Sequence, residues 1–365
     1  MLSVALCPGA PYARAHRRVN IATPKGHMGR TNNFDFLRQF AAFLVILGHS
    51  QTLRGDPVSR FWDASVATTG VHIFFSLSGY LVTESWLRDP NAGRFLLKRS
   101  LRIFPGLALC VLLTALVLGP LLTTLPLSDY FAAPATLAYL TNMVLHTTYD
   151  LPGLFAANPY QAAVNGSLWT LPIEFVCYVG VLIVALIARH RRVVAGLILA
   201  LALVLVLDAW LPGHQPLVRW DTTISETRSI MGYFLAGAML RLLKDHVPLR
   251  ADLAVVALAC IIAAGILFPG RTWIAGGIAV PYLVLCFGLG DLAVIRRFGR
   301  FGDPSYGMYL YAFPIQQSLI YGSANRISLP ALIVATTALS VTLGYASWHL
   351  VEHRSLLWSR KRAQT

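Results

Sequence analysis

The sequence is short of charge. Of its 365 residues only 13% are Asp, Glu, Lys or Arg, and just 16 are acidic. Soluble domains carry roughly 25% charged residues, so a water-soluble enzyme is excluded at the outset. A nucleic-acid binder could share the net charge of +14, but not the scarcity of charged groups behind it. Cysteine is scarce as well, with five in all, and no disulfide pattern emerges. Cys110, Cys177, Cys260 and Cys286 sit inside apolar runs and Cys7 stands alone near the start. No internal repeat and no soluble second domain can be read. What the chain does have is apolar surface, at 56% of residues, with 11% aromatics. That excludes disorder and points to a membrane protein with many spans, each needing roughly 20 apolar residues.

The apolar runs predict an all-α membrane protein, a bundle of about ten transmembrane helices. The predicted spans are 34–53, 67–87, 101–122, 167–188, 193–211, 228–243, 251–268, 272–290, 303–322 and 328–351. An eleventh stretch, 131–147, is shorter and interrupted by Pro134, Asn142 and His146. The distribution of basic residues decides against its spanning, because Lys and Arg accumulate in cytoplasmic loops. With 131–147 left out of the membrane, 23 of the 30 Lys and Arg residues fall on one side. Both termini are then cytoplasmic, and 123–166 becomes an outer loop with no Lys or Arg. Were 131–147 to span, every later loop would invert and the bias would largely collapse.

This divides the chain into a basic N-terminal tail, 1–32, a membrane domain, 33–352, and a basic cytoplasmic tail, 353–365. The N-terminal segment is a poor signal peptide. Its apolar run Leu2–Cys7 is short, and Arg14, Arg17 and Arg18 follow it, where a signal places its charges before. Met28 offers a second natural start just ahead of the first span.

Ionisable residues within spans cost roughly 2.5–3.5 kcal/mol each to insert, which makes them functional candidates. Here they are Arg38 and His49 in the first span, His72 and Glu84 in the second, and Glu174 in the fourth. A histidine at membrane depth beside a carboxylate is a sensible general base, since its pKa lies near 6.5 and the carboxylate fixes its tautomer. The structural alternative is a buried histidine bonded to a carbonyl, and for His72 a cap at the start of the second span. For Glu174 it is a hydrogen bond holding the bundle.

A second constellation runs from Arg94 to Pro105. Lys98 adjoins Arg99, and Arg99 and Arg102 share a helix face if the third span begins there. Guanidinium forks suit phosphate. Anionic lipid headgroups account for basic residues at a cytoplasmic boundary equally well. Trp62, Trp86, Trp169, Trp210, Trp220, Trp273 and Trp358 lie near predicted span ends, as interfacial belts do. The run Phe74-Phe-Ser-Leu-Ser-Gly-Tyr80 supplies small residues for close helix packing.

Five blocks in order resemble the acyltransferase-3 family of integral-membrane acyltransferases over residues 32–352. They are Arg38 with Gly48-His49 behind Asn33-Phe-Asp35; Val71-His-Ile-Phe-Phe-Ser-Leu-Ser-Gly-Tyr-Leu81; Arg99 with Arg102-Ile-Phe-Pro105; Ser167-Leu-Trp-Thr-Leu-Pro-Ile-Glu174 with Phe175 and Tyr178; and Gly302-Asp-Pro-Ser-Tyr-Gly-Met-Tyr-Leu310. Members of the family are O-acetylases of bacterial surface polysaccharides, related glycans and small molecules. The resemblance implies His49 as catalytic base, with Arg38 and Glu174 in support. It implies Arg99, Arg102 and Lys98 toward an acyl-CoA donor, and His72, Ser78, Trp169 and Tyr306 toward the acceptor. It implies no metal and no permanently bound cofactor. The partners it implies are membrane lipid, acyl-CoA and a glycan or lipid-linked sugar, in a bacterial cytoplasmic membrane. Two departures stand out. A histidine often found in the late block is missing, the chain reading Tyr309-Leu-Tyr-Ala-Phe-Pro314, and too few residues follow the last span for the hydrolase-like domain that some relatives carry. On physics alone, a transporter or flippase of lipid-linked sugars stays open, although no pair of repeated, broken segments supports it. So does acylation of a small hydroxylated metabolite.

Overall fold

The structure is a computed structural model that describes residues 33–61, 63–161, 163–188, 191–210, 224–269, 272–290, 292 and 294–362. The predicted tail 1–32, Trp62, Trp220 and the final residues 363–365 lie outside the described residues.

Each predicted span falls on a long helix: α1 (Phe34–Arg54), α2 (Val66–Arg88), α3 (Ala92–Leu113), α4 (Thr170–Ile187), α5 (Arg191–Trp210), α6 (Ile224–Leu242), α7 (Ala251–Leu267), α8 (Thr272–Gly288), α9 (Ser305–Gly322) and α10 (Leu329–Ser347). A two-residue hairpin, β1 (Arg60–Phe61) paired with β2 (Ala64–Ser65), joins α1 to α2. Four helical segments among the described residues are long and apolar enough to cross a membrane: Val66–Arg88, Ala92–Leu122, Gly166–Ile187 and Leu329–Trp358. Their neighbours are shorter or carry charge, as α1 does with Asp35, Arg38 and Arg54.

Apolar side chains face outward in numbers that water would not tolerate. Ile187, Ile266 and Ile278 are 73–75% exposed, and Val255, Val256, Leu267 and Phe268 are exposed with them. A hydrocarbon surround makes those faces favourable, and the helix satisfies its own backbone groups there. The architecture is therefore an all-α membrane fold.

Local chemistry sets the ends. The Ser65 hydroxyl accepts from the Thr68 amide at 3.0 Å and opens α2. The Asn91 side chain accepts from Arg94 N–H at 2.9 Å and opens α3, so the basic block read from sequence as a loop is already helical from Ala92. Lys98, Arg99 and Arg102 thereby lie on the first turns of a helix. α3 runs on through a π turn, Thr114–Leu118, to Leu122. α10 runs through a second π turn, Trp348–Glu352, into α11 (His353–Arg362). Residues 353–362, read from sequence as a tail, are helical and pack on α3. The stretch 131–147 forms short helical pieces, Leu127–Ala132, Pro134–Tyr139 and Leu140–Val144, none long enough to span.

Packing is tightest between α2 and α6. A side chain on Gly79 would collide with the Phe234 carbonyl, and one on Gly237 with that of Ser76. Two glycines facing each other's backbones let the helices touch, as small residues do inside membranes. This seam fixes α2 as the wall between two cavities, one at each end.

Candidate active site

The larger cavity, about 470 Å³, opens between α1, α2, α3, α4 and the start of α9. Arg38, Ser78, Glu84, Lys98, Arg99, Arg102, Glu174, Tyr178, Asp303 and Tyr306 all line it. The structure thus brings together, on five elements, residues that lie up to 268 positions apart in the chain.

Carboxylates hold most of its cations. Asp303 sits at the start of α9, where its Oδ1 accepts from Ser305 N at 3.2 Å and Ser305 Oγ at 2.5 Å. Its Oδ2 takes Arg38 Nε at 2.9 Å and Arg102 Nη2 at 3.0 Å. Arg38 also pairs with Asp35, one turn back on α1. Arg102 reaches Glu352 at 3.8 Å, and Ser347 Oγ donates to that glutamate at 2.9 Å. The π turn at 348–352 places Glu352, 2% exposed, at this spot. Lys98 pairs at 2.8 Å with Asp89, which also holds Arg94. Asp89 lies beyond the end of α2, and the Arg94 and Lys98 cations hold its carboxyl well below the usual range. At the cavity wall Glu84 binds both Arg88 and Arg241, tying α2 to α6.

Arg99 differs from these. Its guanidinium lies 5.8 Å over the Tyr178 ring, makes no ion pair among the described residues, and leaves its Nε buried without a partner. No described carboxylate lies within ion-pair distance of it, although the nearby Glu174 carboxylate, held by Ser78 and Tyr178, also acts on its charge.

Glu174 accepts from Ser78 Oγ at 3.1 Å and from the Tyr178 hydroxyl. Of the two roles the sequence left open for it, these bonds serve the second, joining α2 to α4. Tyr306 lies 5.6 Å under Arg102 and donates to the Ile103 carbonyl at 2.8 Å. Trp169 packs against the large apolar core.

His49 is not among the residues lining this cavity. Eleven residues after Arg38, it lies three turns further along the same face of α1, about 16 Å on. Its ring meets Phe313 edge-on at 5.2 Å, and its Nδ1 is buried with no hydrogen-bond partner. Phe74 and Tyr309, which line the cavity, touch edge to face at 5.8 Å. The Tyr309 hydroxyl bonds Thr170 at 2.6 Å and the Ser167 carbonyl at 2.8 Å. His72 is elsewhere, on the face of α2 toward α6 and α8, where its Nε2 lies 3.2 Å from Ser229 Oγ.

Sequence reasoning missed Asp303, Glu352 and Arg241 as site residues. Asp303 and Asp35 stand in the quoted blocks, and a scarce acid beside a block arginine was the available signal. Arg241 falls at the end of the predicted span 228–243, where it passed as a boundary cation, and Glu352 lies one residue past the last predicted span in a basic segment that topology already explained.

A helical membrane fold with a cavity lined by Arg38, Lys98, Arg99 and Arg102 suits a membrane enzyme or a carrier. The comparisons separate the two. Residues 31–349 match the family described as an acyltransferase domain. The chain is 30% identical over 348 residues to an O-acetyl transferase of Shigella phage Sf6, covering 90% of this chain and 97% of the relative. It is 29% identical over 361 residues to nodulation protein 10 of Rhizobium leguminosarum bv. viciae, covering 90% and 94%. A third relative, in Bacillus subtilis (strain 168), bears the name of a peptidoglycan O-acetyltransferase; there the identity is 26%, over 87% of this chain and 54% of that protein. No solved structure matches. The chain belongs to the acyltransferase-3 family, and it is an O-acetyltransferase.

Proposed function

We propose that the protein transfers an acetyl group from acetyl-CoA to a hydroxyl of a surface glycan or lipid-linked sugar, working as a ten-span protein of the bacterial cytoplasmic membrane with both termini inside. The observation that carries this reading is Arg99. A guanidinium with an unpartnered Nε, walled into a cavity whose other cations are matched by carboxylates, is a site for an anion. A CoA phosphate fits that description, and the two relatives named for O-acetylation supply the acyl group.

In this reading Arg99 receives phosphate, while Arg102 and Lys98 shape the entry from their carboxylate partners. The thioester reaches along α1 toward His49. The Nδ1 of His49, buried and unpaired, takes the proton of the acceptor hydroxyl. The hydroxyl oxygen bonds to the thioester carbonyl carbon, the carbon–sulfur bond breaks, and the proton passes to the departing CoA thiolate. The products are an O-acetyl ester and CoA. Phe74 and Tyr309 line the donor cavity, and in this reading their rings screen the thioester from water until the acceptor arrives.

The test is acetyl labelling of the glycan in cells carrying His49→Ala at matched protein level. Loss of a general base predicts a fall of about 100-fold or more. Unchanged labelling would remove His49 from the chemistry.

A further inference from the structure

At the other end of α2 a second cavity, about 310 Å³, lies under the β1–β2 hairpin between α2, α6 and α8. Its volume is at the lower edge of the roughly 300–1,000 Å³ typical of small-ligand sites. The geometry points to a binding site for one or two neutral sugar residues of the acceptor chain, which rests on the glycan-acceptor reading above.

The lining has the chemistry that a sugar ring needs. Trp273, on α8, and Phe61, on β1, are large and exposed at this cavity, and aromatic faces of this kind pack against the C–H face of a pyranose. Deeper in, Thr272 is 2% exposed, and its Oγ1 is buried with no partner. An unpaired buried hydroxyl is costly, so it is most simply explained as a group that a bound molecule satisfies. Its own backbone N–H is already used, donating to Asp63 Oδ2 at 2.7 Å. His72 stacks on Tyr233 at 3.7 Å and is bonded to Ser229, so both rings are fixed in place as cavity floor. Gly276 keeps the floor open, since a side chain there would come within 3.0 Å of the Tyr233 hydroxyl.

Charge argues for a neutral ligand. Arg60 is tied to the Asp63 carbonyl at 2.5 Å, and these two are the oppositely charged residues among the described lining. No excess cation faces the cavity as Arg99 faces the other one. The position fits an acceptor as well. Gly48 packs directly on Ala67, so His49 and the cavity residues Thr68 and Thr69 flank one α1–α2 contact. A glycan held here would have its neighbouring residues at the level of the proposed base.

Photocrosslinking of the full-length protein in nanodiscs tests this. The probes are diazirine-tagged disaccharides of glucose, galactose, mannose, rhamnose and N-acetylglucosamine, with a diazirine phospholipid as comparison. Labelling should map to residues 60–72 and 272–280, be competed by untagged sugar, and fall about threefold to tenfold in Thr272→Val and Trp273→Ala. Binding of acetyl-CoA should be unchanged in both variants, which shows that they are folded. Sugar labelling that misses these segments, that ignores both substitutions, or that the phospholipid matches would overturn the site. Acetyl-CoA turnover by the wild-type protein is read in the same preparation. Its absence would sink the proposed function whether or not sugars label the cavity.

Discussion

At the scale of single residues, the arginines of the cavity divide by their partners. Arg38 and Arg102 converge on Asp303, whose side chain is 4% exposed. Removing one member of a buried pair strands the other charge, so Asp303→Asn should destabilise the protein by about 3–5 kcal/mol, read as a lowered unfolding midpoint in detergent. Arg99→Ala should do the opposite. With no ion pair to break, stability should stay within about 1 kcal/mol, while acetyl-CoA affinity falls about tenfold or more. Equal thermal loss in both variants would return Arg99 to a packing role. Asp89 gives a pH test. Arg94 and Lys98 depress its carboxyl, so the contribution of this cluster is complete above the ordinary Asp pKa of about 3.9 and is lost only as pH falls through the lower folded value. A carboxyl-carbon NMR titration should place its midpoint below that of unfolded Asp; a midpoint at or above it contradicts the cluster. Arg38 was legible in sequence as a charge inside a span, and Arg99 and Arg102 as a basic face at the cytoplasmic boundary. Their sorting was not, because Asp303 lies 201 residues from Arg102 and only the fold brings them together.

At the scale of elements, the α2–α6 seam decides the geometry. Gly79→Leu or Gly237→Leu drives a side chain into a backbone carbonyl, which no rotamer avoids. Each should cost at least the 1–3 kcal/mol of ordinary overpacking, and because α2 walls both cavities, both acetyl-CoA and sugar binding should weaken together. Loss of one without the other would show that the cavities do not share this wall. The helices themselves were readable, since runs of apolar residues near 20 long set the centres of most of them within a residue or two, α3 and α6 apart. Their starts were less so. α3 begins nine residues before its apolar run because Asn91 caps it, and α10 runs past its span through a π turn that no hydropathy pattern marks. The first departure puts Lys98 and Arg99 on helical surface lining the cavity, and the second puts buried Glu352 against Arg102.

At the scale of the molecule, the proposed orientation rests on where the excess of positive charge lies. Of 30 Lys and Arg residues, 23 lie on the side that the sequence assigns to the cytoplasm, and the basic cavity opens at that end of α2. Single cysteines placed at positions 146 and 94 in a chain freed of its own cysteines report this directly. An impermeant maleimide on intact cells should modify position 146 and leave position 94 untouched; the reverse would put the donor cavity on the wrong side for CoA. The sequence carried the family and the bundle, because both live in long runs and ordered blocks. It singled out His72 but could not carry the second cavity, whose Thr272 and Trp273 meet that histidine only when α8 packs beside α2.

The central claim is that one cation in one cavity takes the donor and that His49 performs the transfer. The most direct measurement is steady-state transfer of labelled acetyl from acetyl-CoA to an oligosaccharide from the host surface, by the purified protein in nanodiscs, for wild type, Arg99→Ala and His49→Ala. Arg99→Ala should raise KM for acetyl-CoA about tenfold with little change in kcat, and His49→Ala should lower kcat about 100-fold with little change in that KM. Transfer by the His49→Ala protein at the wild-type rate, or an unaltered donor KM in Arg99→Ala, would contradict the account.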